Sequence, residues 1–419
     1  MKILFMSSSF QGGGITSFGH EVANAYSKDN EFSIILGSDK SVPIINNQVK
    51  KYYYNCSDTG ISNAKIIINL INNTIQPDVI IGSCALILPV IARFLNDNIK
   101  IITVSHSLKY VESDVAAVAH RFVDHIIAGS IYNRQHMMQK FRIRDQKKVK
   151  VIYNFVKDHP HCLEIMESKK HAKEISIVFP GACSSSKSPE IVLQIIRKLV
   201  NTDANFKFYW MGRTMVHMSR HFPFLHVSDV KALAPKDSRI VFPGRFPTRQ
   251  EAEDLIASGN IQLSPSRREG CPMSFLEAIR VGTIAIVADF GNFNREIVEK
   301  GNFGYVIHHN DIDGFANRIV DICKNPQSYS ELYNNAYNTF LSELNFETWK
   351  ARMDNLIYTE GCNHSPRSKK VSTLKLQMNI TKIKMLNMES NFQRVLFEDI
   401  KVLLRMWKLK RRLFIRNNN

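Results

Sequence analysis

The strongest constraint on the fold is an alternation of short apolar runs with longer amphipathic stretches, which occurs in two successive series. Short apolar runs separated by helical stretches are typical of strands buried in a parallel sheet. The first series comprises Lys2 to Met6, Ser33 to Leu36, Val79 to Ile81, Ile101 to Val104 and His125 to Ala128. The second comprises Ile175 to Phe179, Phe206 to Trp210, Ile240 to Phe242, Ile261 to Leu263, Ile284 to Val287 and Tyr305 to Ile307. We therefore predict an α/β protein with two Rossmann-like, doubly wound domains.

Changes in pattern suggest where these domains begin and end. We predict an N-terminal domain over residues 1–165 and a C-terminal domain over residues 172–345. Residues 157–173 contain Pro160 and several charges but no clear period, which is typical of a linker. Residues 346–361 are predicted to end a returning helix, and residues 362–419 to form a tail.

The net charge of +17 is concentrated in the tail. Residues 363–419 hold 14 lysines and arginines against three acids, whereas residues 1–362 hold 41 against 35. Apolar residues from Phe392 to Phe414, including Trp407, recur every three or four positions with basic residues between them. This pattern predicts a basic amphipathic helix over residues 390–415 that binds an anionic membrane surface. Packing of its apolar face on the protein, or binding of nucleic acid by its charge, are the alternatives.

Other features limit the compartment and the ligand chemistry. The longest uncharged apolar stretch, residues 79–92, is interrupted by Pro89 and is shorter than the roughly 20 residues of a membrane span. The apolar N-terminus, residues 1–6, is too short for a secretory signal. The seven cysteines are scattered and lack a C-x-x-C pair, so we expect reduced thiols in a cytoplasmic protein. His159, His161 and Cys162 have no fourth ligand at a recognised spacing, so we expect no metal there.

Two stretches have the composition of ligand-binding loops. Gly12, Gly13 and Gly14 follow the first predicted strand and precede a predicted helix, where their amides could bind phosphate, although a tight turn explains them equally well. Glu269 follows the strand Ile261 to Leu263, and a helical pattern containing Glu277 begins at Met273. These carboxylates therefore belong to the carboxyl edge of a sheet, where open α/β sheets bind ligands. The alternative is a helix-start acid and a solvated helix residue.

The stretch Ser264 to Gly282 resembles the donor signature of the family 4, or group 1, retaining glycosyltransferases, which have the GT-B fold. The shared pattern is Ser-Pro-Ser-x-x-Glu-Gly, then Leu-Glu-Ala, then Gly. Weaker matches follow in the family's order: the glycine loop, His106, Asp124 to Ser130, Val151 to Asn154, Pro180-Gly181 with Lys187, and Asn294 to Val298. The resemblance covers most of residues 1–358 and implies two domains that face each other across a cleft, the first on the acceptor side and the second binding the nucleotide sugar.

The resemblance also implies roles for single residues. Glu269 would face the donor sugar, Lys187 the diphosphate and His106 the sugar or acceptor from the first domain, and these three are the expected catalytic residues. A cation is needed because the departing nucleoside diphosphate accumulates negative charge. Glu277 would hold the ribose. The other expected donor contacts are Gly13, Gly14, Gly181, Gly270, Cys271 and Met273.

One departure from the family's pattern affects the phosphate site. The family usually has an arginine directly after the glycine at 181, whereas this chain has Ala182. The candidates to replace it are Arg213, Arg245, Arg267 and Arg268. The departure also leaves open an altered donor or an inactive protein.

We therefore expect a metal-independent retaining hexosyltransferase with no cofactor beyond its nucleotide-sugar co-substrate, a UDP-sugar in preference to a GDP-sugar. The acceptor would be a lipid-linked or growing saccharide of a bacterial cell surface, such as lipopolysaccharide or capsule. The protein would be cytoplasmic and peripheral on the inner face of the cell membrane. The alternatives are a catalytically weak GT-B protein, and a nucleic-acid-binding protein that acts through its tail, for which the sequence has no zinc finger or RNA-recognition signature. The Ser264 to Gly282 signature argues against a GT-B sugar-nucleotide epimerase.

Overall fold

The chain divides into two units in the computed structural model. Unit 1 consists of Met1–Asn154 and Glu347–Ser390, and unit 2 of Phe155–Phe346 and Asn391–Asn419. The structure describes residues 1–8, 14–37, 49–54, 60–106, 110–181, 183–212, 214, 229–244, 246, 248–368, 370–393 and 405. Most of the predicted tail helix, as well as Gly12 and Gly13, therefore lies outside the described residues.

Unit 1 is built on a parallel sheet whose described strands follow the order β3-β2-β1-β4-β5-β6-β7. The strands are β1 (Lys2–Ser7), β2 (Glu31–Gly37), β3 (Lys50–Tyr54), β4 (Val79–Ser83), β5 (Lys100–Ser105), β6 (His125–Ala128) and β7 (Val149–Val151). All residues of β4 and β5 are buried, which explains their apolar runs. The direction of winding reverses between β1 and β4.

Unit 2 is built on a second parallel sheet, with the described strands in the order β10-β9-β8-β11-β12-β13. The strands are β8 (Ile175–Pro180), β9 (Phe206–Met211), β10 (Ile240–Gly244), β11 (Ile261–Ser264), β12 (Ile284–Ala288) and β13 (Gly304–Ile307). Buried side chains of β8, β9, β11 and β12 form the core with the flanking helices, and Trp210 is fully buried in it. The winding reverses between β8 and β11.

Helices connect and cover these strands. In chain order they are α1 (Gly14–Tyr26), α2 (Ile61–Asn69), α3 (Leu88–Ile91), α4 (Tyr110–Ala117), α5 (Ile131–Lys140), α6 (Cys162–Lys170), α7 (Pro189–Leu199), α8 (Val230–Leu233), α9 (Arg249–Ser258), α10 (Met273–Ile279), α11 (Phe293–Gly301), α12 (Ile312–Lys324), α13 (Ser330–Thr339), α14 (Phe346–Asp354) and α15 (Thr373–Gln393). Within the described ranges, none of these helices has the length and apolar character needed to cross a membrane.

The segment after α14 is fastened to unit 1 by buried cations. Lys100, at the start of β5, donates hydrogen bonds to the carbonyl oxygens of Leu356 at 3.0 Å and Ile357 at 2.9 Å, and to that of Glu360. The guanidinium of Arg367 donates to two carbonyl oxygens of unit 1, each at 2.7 Å. The returning chain is therefore part of the first unit's structure and covers one edge of its core.

The structure corrects the interpretation of residues 157–173 as a linker, because this segment contains α6. The helix is anchored by Lys169, which is buried and donates from Nζ to the carbonyl oxygen of Val281 at 3.0 Å and to Oγ1 of Thr283 at 2.7 Å. Because Lys169 is a charged residue and the segment has no strong apolar period, the sequence did not indicate that this side chain is buried. Burial lowers the pKa of this amine well below its usual value.

Candidate functional site

The topology of unit 2 brings two loops together at the point where the winding reverses. β8 and β11 are neighbours in the sheet, and the loops after their carboxyl ends form the crevice in which open α/β sheets bind ligands. The first loop carries Lys187 at the end of a 3₁₀ turn, Ser185–Lys187, just before α7. The second carries Glu269, just before α10.

Lys187 and Glu269 form an ion pair in this crevice. Lys187 Nζ lies 2.6 Å from Glu269 Oε1, and the side chains are 21% and 8% exposed. The stem of Lys187 passes over Gly181, where an added Cβ would lie 3.3 Å from Cδ and Cε of the lysine. Glycine at 181 therefore leaves room for the lysine to reach the glutamate. The structure therefore brings Gly181, Lys187 and Glu269 together.

The pair places a cation beside a carboxylate at the carboxyl edge of the sheet of unit 2. Glu269 neutralises a cation that is largely removed from water, so the chain does not bear an isolated charge there. The N-terminus of α7 follows directly, and the dipole of this helix adds partial positive charge. A phosphate group that enters the crevice would compete with Glu269 for Lys187, and this competition would release the carboxylate toward the rest of the ligand.

The loop that runs from the end of β11 to Glu269 is held in place by residues that follow β12. The backbone N–H of Phe293 donates to the carbonyl oxygen of Glu269 at 3.2 Å. Asn292 Nδ2 donates to the carbonyl oxygen of Ser266 at 2.8 Å, and Asn294 Nδ2 to Ser264 Oγ at 2.7 Å. These asparagines therefore position the loop that carries Glu269.

The other expected contacts of this loop lie in sequence order along it. Gly270 and Cys271 are buried, and Met273 is the partly exposed first residue of α10. The amides of this loop lie at the N-terminal end of α10, where an oxygen-rich ligand would meet backbone donors.

Glu277 lies in α10 and is 6% exposed, so its interpretation as a solvated helix residue is wrong. Its Oε1 lies 3.3 Å from Nη2 of Arg249, at the start of α9. Burial raises the pKa of Glu277, and the nearby charge of Glu253 adds to this, while Arg249 and Arg280 oppose it. A buried carboxylate with one long ion pair retains capacity to accept hydrogen bonds from a ligand.

Arg267 is the described arginine beside the lysine turn. Its Nη1 donates to the carbonyl oxygen of Ser185 and to Ser188 Oγ, each at 2.9 Å, and its Nη2 lies 2.5 Å from Oε1 of the buried Glu190. Arg267 therefore braces the turn that carries Lys187. Arg213, Arg245 and Ala182 lie outside the described residues.

Glu190 was missed by the sequence analysis, which had no motif to mark it. It lies in the first turn of α7 with its side chain fully buried, and Oε2 has no hydrogen-bond partner among the described residues. Arg405, the described residue of the predicted tail helix beyond Gln393, places Nη1 3.5 Å from Oε1 of Glu190. Glu190 therefore lies close to the guanidinium groups of both Arg267 and Arg405.

In unit 1, His106 directly follows β5, close to the carboxyl end of β4. Its Nε2 lies 2.8 Å from Ser83 Oγ, and its ring packs edge-on against Phe18 at a centroid distance of 4.7 Å. Burial lowers the pKa of His106 to about 4, so the ring is neutral at pH 7. Gly14 is the first residue of α1. A neutral imidazole at this edge can donate or accept a hydrogen bond but carries no charge.

In the part of the chain that the structure describes, two groups of side chains have the composition of metal ligands. In unit 2, Asp289 Oδ1 lies 3.3 Å from His309 Nδ1, and Oδ2 lies 4.0 Å from His308 Nε2. Oδ1 also accepts the backbone N–H of His309 at 3.0 Å, so the carboxylate already caps this turn. In unit 1, Asp124 groups with Cys362 and His364, and accepts backbone N–H groups of Ile101 and Asn363. Hydrogen bonding within the chain accounts for both aspartates.

The residues of this site in unit 2 lie within a segment of the chain that matches a known protein family. Residues 163–339 match the model of the family described as glycosyl transferases group 1. No curated protein sequence matches the chain.

Solved structures similar to the chain are glycosyltransferase structures of the GT-B fold. Anabaena HepE in complex with UDP has a TM-score of 0.67 and 17% identity, over 86% of this chain and 100% of that one. The lipopolysaccharide outer core galactosyltransferase WaaB, in its apo form, has a TM-score of 0.61 and 17% identity, over 86% and 99%. A variant of S. aureus TarM in complex with Fondaparinux, alpha-GlcNAc-glycerol and UDP has a TM-score of 0.64 and 12% identity, over 86% and 100%. The prediction of two parallel-sheet α/β domains of the GT-B fold is confirmed.

Proposed function

We propose that the chain is a retaining glycosyltransferase that transfers a hexose from a nucleotide sugar, with a UDP-sugar favoured over a GDP-sugar. The observation that carries the proposal is the Lys187–Glu269 pair at the reversal of winding in unit 2, inside the segment that matches glycosyl transferases group 1. The similarity to HepE, which was solved with UDP and with UDP-glucose, supports the preference for uridine.

The proposed reaction assigns one task to each charged group. The bond between the anomeric carbon and the diphosphate oxygen breaks, and the diphosphate leaves with the electron pair. The acceptor hydroxyl forms the new bond on the same face of the sugar and passes its proton to the departing diphosphate oxygen. Lys187 stabilises the charge that develops on the diphosphate, an effect that is large in a site sheltered from water. Glu269 faces the donor sugar after the phosphate has drawn Lys187 away. Glu277 accepts hydrogen bonds from the ribose.

The proposal needs no metal ion, because Lys187 and the α7 N-terminus supply the positive charge that a divalent ion would otherwise provide. Donor turnover is therefore expected to be the same before and after treatment with EDTA. Loss of turnover that Mg²⁺ or Mn²⁺ restores would contradict this part of the proposal.

The proposed acceptor is a lipid-linked or growing saccharide of the cell surface, met at the inner face of the cell membrane. The charge excess of residues 363–419 supports the membrane location. Similarity to WaaB, a lipopolysaccharide galactosyltransferase, and to TarM, solved with a glycosylated glycerol, supports the acceptor class, which includes lipopolysaccharide and capsule.

Nucleotide binding tests the donor site. Isothermal titration of the full chain with UDP, GDP and ADP should show the tightest binding for UDP. Glu277→Ala should weaken UDP binding by about tenfold or more, because the ribose loses a charged acceptor. Glu331→Ala, at an exposed position of α13 in the same unit, is the matched control. Equal UDP affinity in the parent and Glu277→Ala proteins would remove Glu277 from the site.

A further inference from the structure

Helix α15 in unit 1 carries a second apolar face that points to solvent. Leu374, Met378, Met385 and Met388 are 70%, 62%, 64% and 71% exposed. At 100° per residue these four positions fall within a band about 80° wide along the helix. Together they form an apolar strip, here called the α15 stripe, which only the exposed Thr381 interrupts between Met378 and Met385.

The stripe is distinct from the face by which α15 packs on unit 1. Leu376 and Ile380, on the opposite side of the helix, are 0% and 2% exposed and belong to the core around β4, β5 and β6. Folding therefore buries one apolar face of α15 and leaves the other in water. Contiguous exposed apolar residues of this size typically mark a binding surface.

Basic residues border the stripe on both margins. Lys375 and Lys382 lie along one margin and Lys384 along the other, from their helical angles. Glu389, on the first margin, is 3.9 Å from Lys140, so its charge is partly balanced. The composition is an apolar strip between lysines, the pattern of a helix that lies in a membrane interface.

A cavity of about 620 Å³ opens beside the Lys382 margin. Phe122 and Phe141 are among the residues that line it, as are the basic residues Arg121, Arg142 and Lys382. Such a cavity suits an anionic headgroup whose phosphate meets the cations while its glycerol region meets the rings.

We propose that the α15 stripe is a docking surface for an anionic membrane, in which the apolar side chains enter the leaflet and the neighbouring cavity receives a lipid phosphate. The charge pattern selects this occupant, because in a symmetric pair of copies packed through the stripe the lysine margins would repel each other. The inference deepens the membrane location in the proposed function. It places the contact on described residues 374–388 of unit 1, separate from the predicted tail helix, and is independent of the proposed chemistry.

Vesicle co-sedimentation of the full chain tests the proposal. The parent protein should bind vesicles of phosphatidylglycerol and phosphatidylcholine, and bind pure phosphatidylcholine at least about tenfold more weakly. Met378→Asp/Met385→Asp and, separately, Lys375→Glu/Lys382→Glu should each reduce binding to the mixed vesicles roughly tenfold. The matched controls lie on α2 of the same unit: Ile66→Asp, at a position 63% exposed, and Lys65→Glu should bind as the parent does.

Several outcomes would overturn the proposal. Parental binding by the stripe variants, combined with loss of binding when Lys408, Arg411 and Arg412 are changed to glutamate, would assign the membrane contact to the tail alone. A dimer in light scattering that the stripe variants dissociate, with vesicle binding unchanged, would assign the stripe to a second copy. Tight RNA binding lost in the lysine variant would assign the margins to nucleic acid. Donor hydrolysis in vesicle-free buffer should be equal in all these proteins, so a failed donor site is seen separately from a failed docking surface.

Discussion

Removal of Lys187 alone, compared with removal of the whole ion pair, separates catalysis from structure. Lys187→Met leaves the carboxylate of Glu269, 8% exposed, without its cation. Breaking a fully buried pair costs about 3–5 kcal/mol. Lys187 is 21% exposed and water can partly replace it, so we expect a loss of about 1–3 kcal/mol and a fall of several degrees in the unfolding temperature.

Turnover should fall further than this loss of stability explains. A cation that faces the developing charge of the diphosphate raises kcat about 10²–10³-fold, as other preorganised electrostatic groups do. The double variant Lys187→Met/Glu269→Gln removes both charges and should regain most of the lost stability, because no unpaired buried charge remains. Its turnover should stay at or below that of the single variant.

Thermal unfolding and hydrolysis of UDP-glucose, measured on the same preparations, give the two readouts. Lys198→Met is the matched control, because Lys198 forms an exposed ion pair with Asp313 in the same unit and such pairs contribute less than about 1 kcal/mol. Parental turnover in Lys187→Met, or turnover restored together with stability in the double variant, would show that the pair is only structural and refute the assignment.

Three further predictions concern buried titratable groups. The pKa of Glu277 is raised by burial, so its ionisation costs stability as pH rises through that pKa. Glu277→Gln should therefore raise the unfolding temperature more at pH 8 than at pH 4, and an equal gain at both would contradict this. The pKa of His106 falls from 6.5 to about 4 in the folded chain, so stability should decline as pH falls between these values, and His106→Gln should flatten that decline in a pH series of thermal melts. Lys100→Met should cost about 2–4 kcal/mol in denaturant unfolding, because the carbonyl oxygens of Leu356 and Ile357 lose a buried charged donor, and a loss below 1 kcal/mol would show that water replaces it.

The strands could be predicted because parallel sheets buried on both faces require apolar runs. Each of the predicted strands, from Lys2 to Met6 through Tyr305 to Ile307, corresponds to a strand of the structure. β3 and β7 were missed. β3 is Lys-Lys-Tyr-Tyr-Tyr at the edge of the sheet, with only its last residue buried, and β7 is three residues long at the opposite edge. Edge strands need no apolar run, so the pattern that found the central strands could not find these two. Because β3 was missed, the strand before His106 is the fifth of its unit, whereas it was the fourth in the predicted series.

The sequence indicated candidate site residues only where the resemblance supplied a local match, in Ser264 to Gly282 and around Lys187. Glu269 and Glu277 stand in one stretch of sequence, and the turn with Lys187 follows a strand whose neighbour is β11. The partners of Glu277 came from elsewhere: Arg249 belongs to α9, 28 positions earlier, and no local pattern links the two. The pairing of Arg267 with Glu190 likewise joins a loop to the first turn of α7, which only the strand order brings together. Long-range pairs of this kind depend on the fold, and neither segment alone contains a sequence pattern that predicts them.

The anomeric configuration of the product directly tests whether the chain is a retaining glycosyltransferase. Proton NMR would follow the anomeric signals while the full chain acts on a panel of UDP-sugars and GDP-sugars, with the donor's own hydrolysis as the minimal reaction. We predict that the nucleoside diphosphate is released and that the first-formed sugar keeps the donor's anomeric configuration. In Lys187→Met, both the released diphosphate and the product's anomeric signal should be lost. Inversion at the anomeric carbon, or consumption of donor that Lys187→Met leaves unchanged, would contradict this prediction.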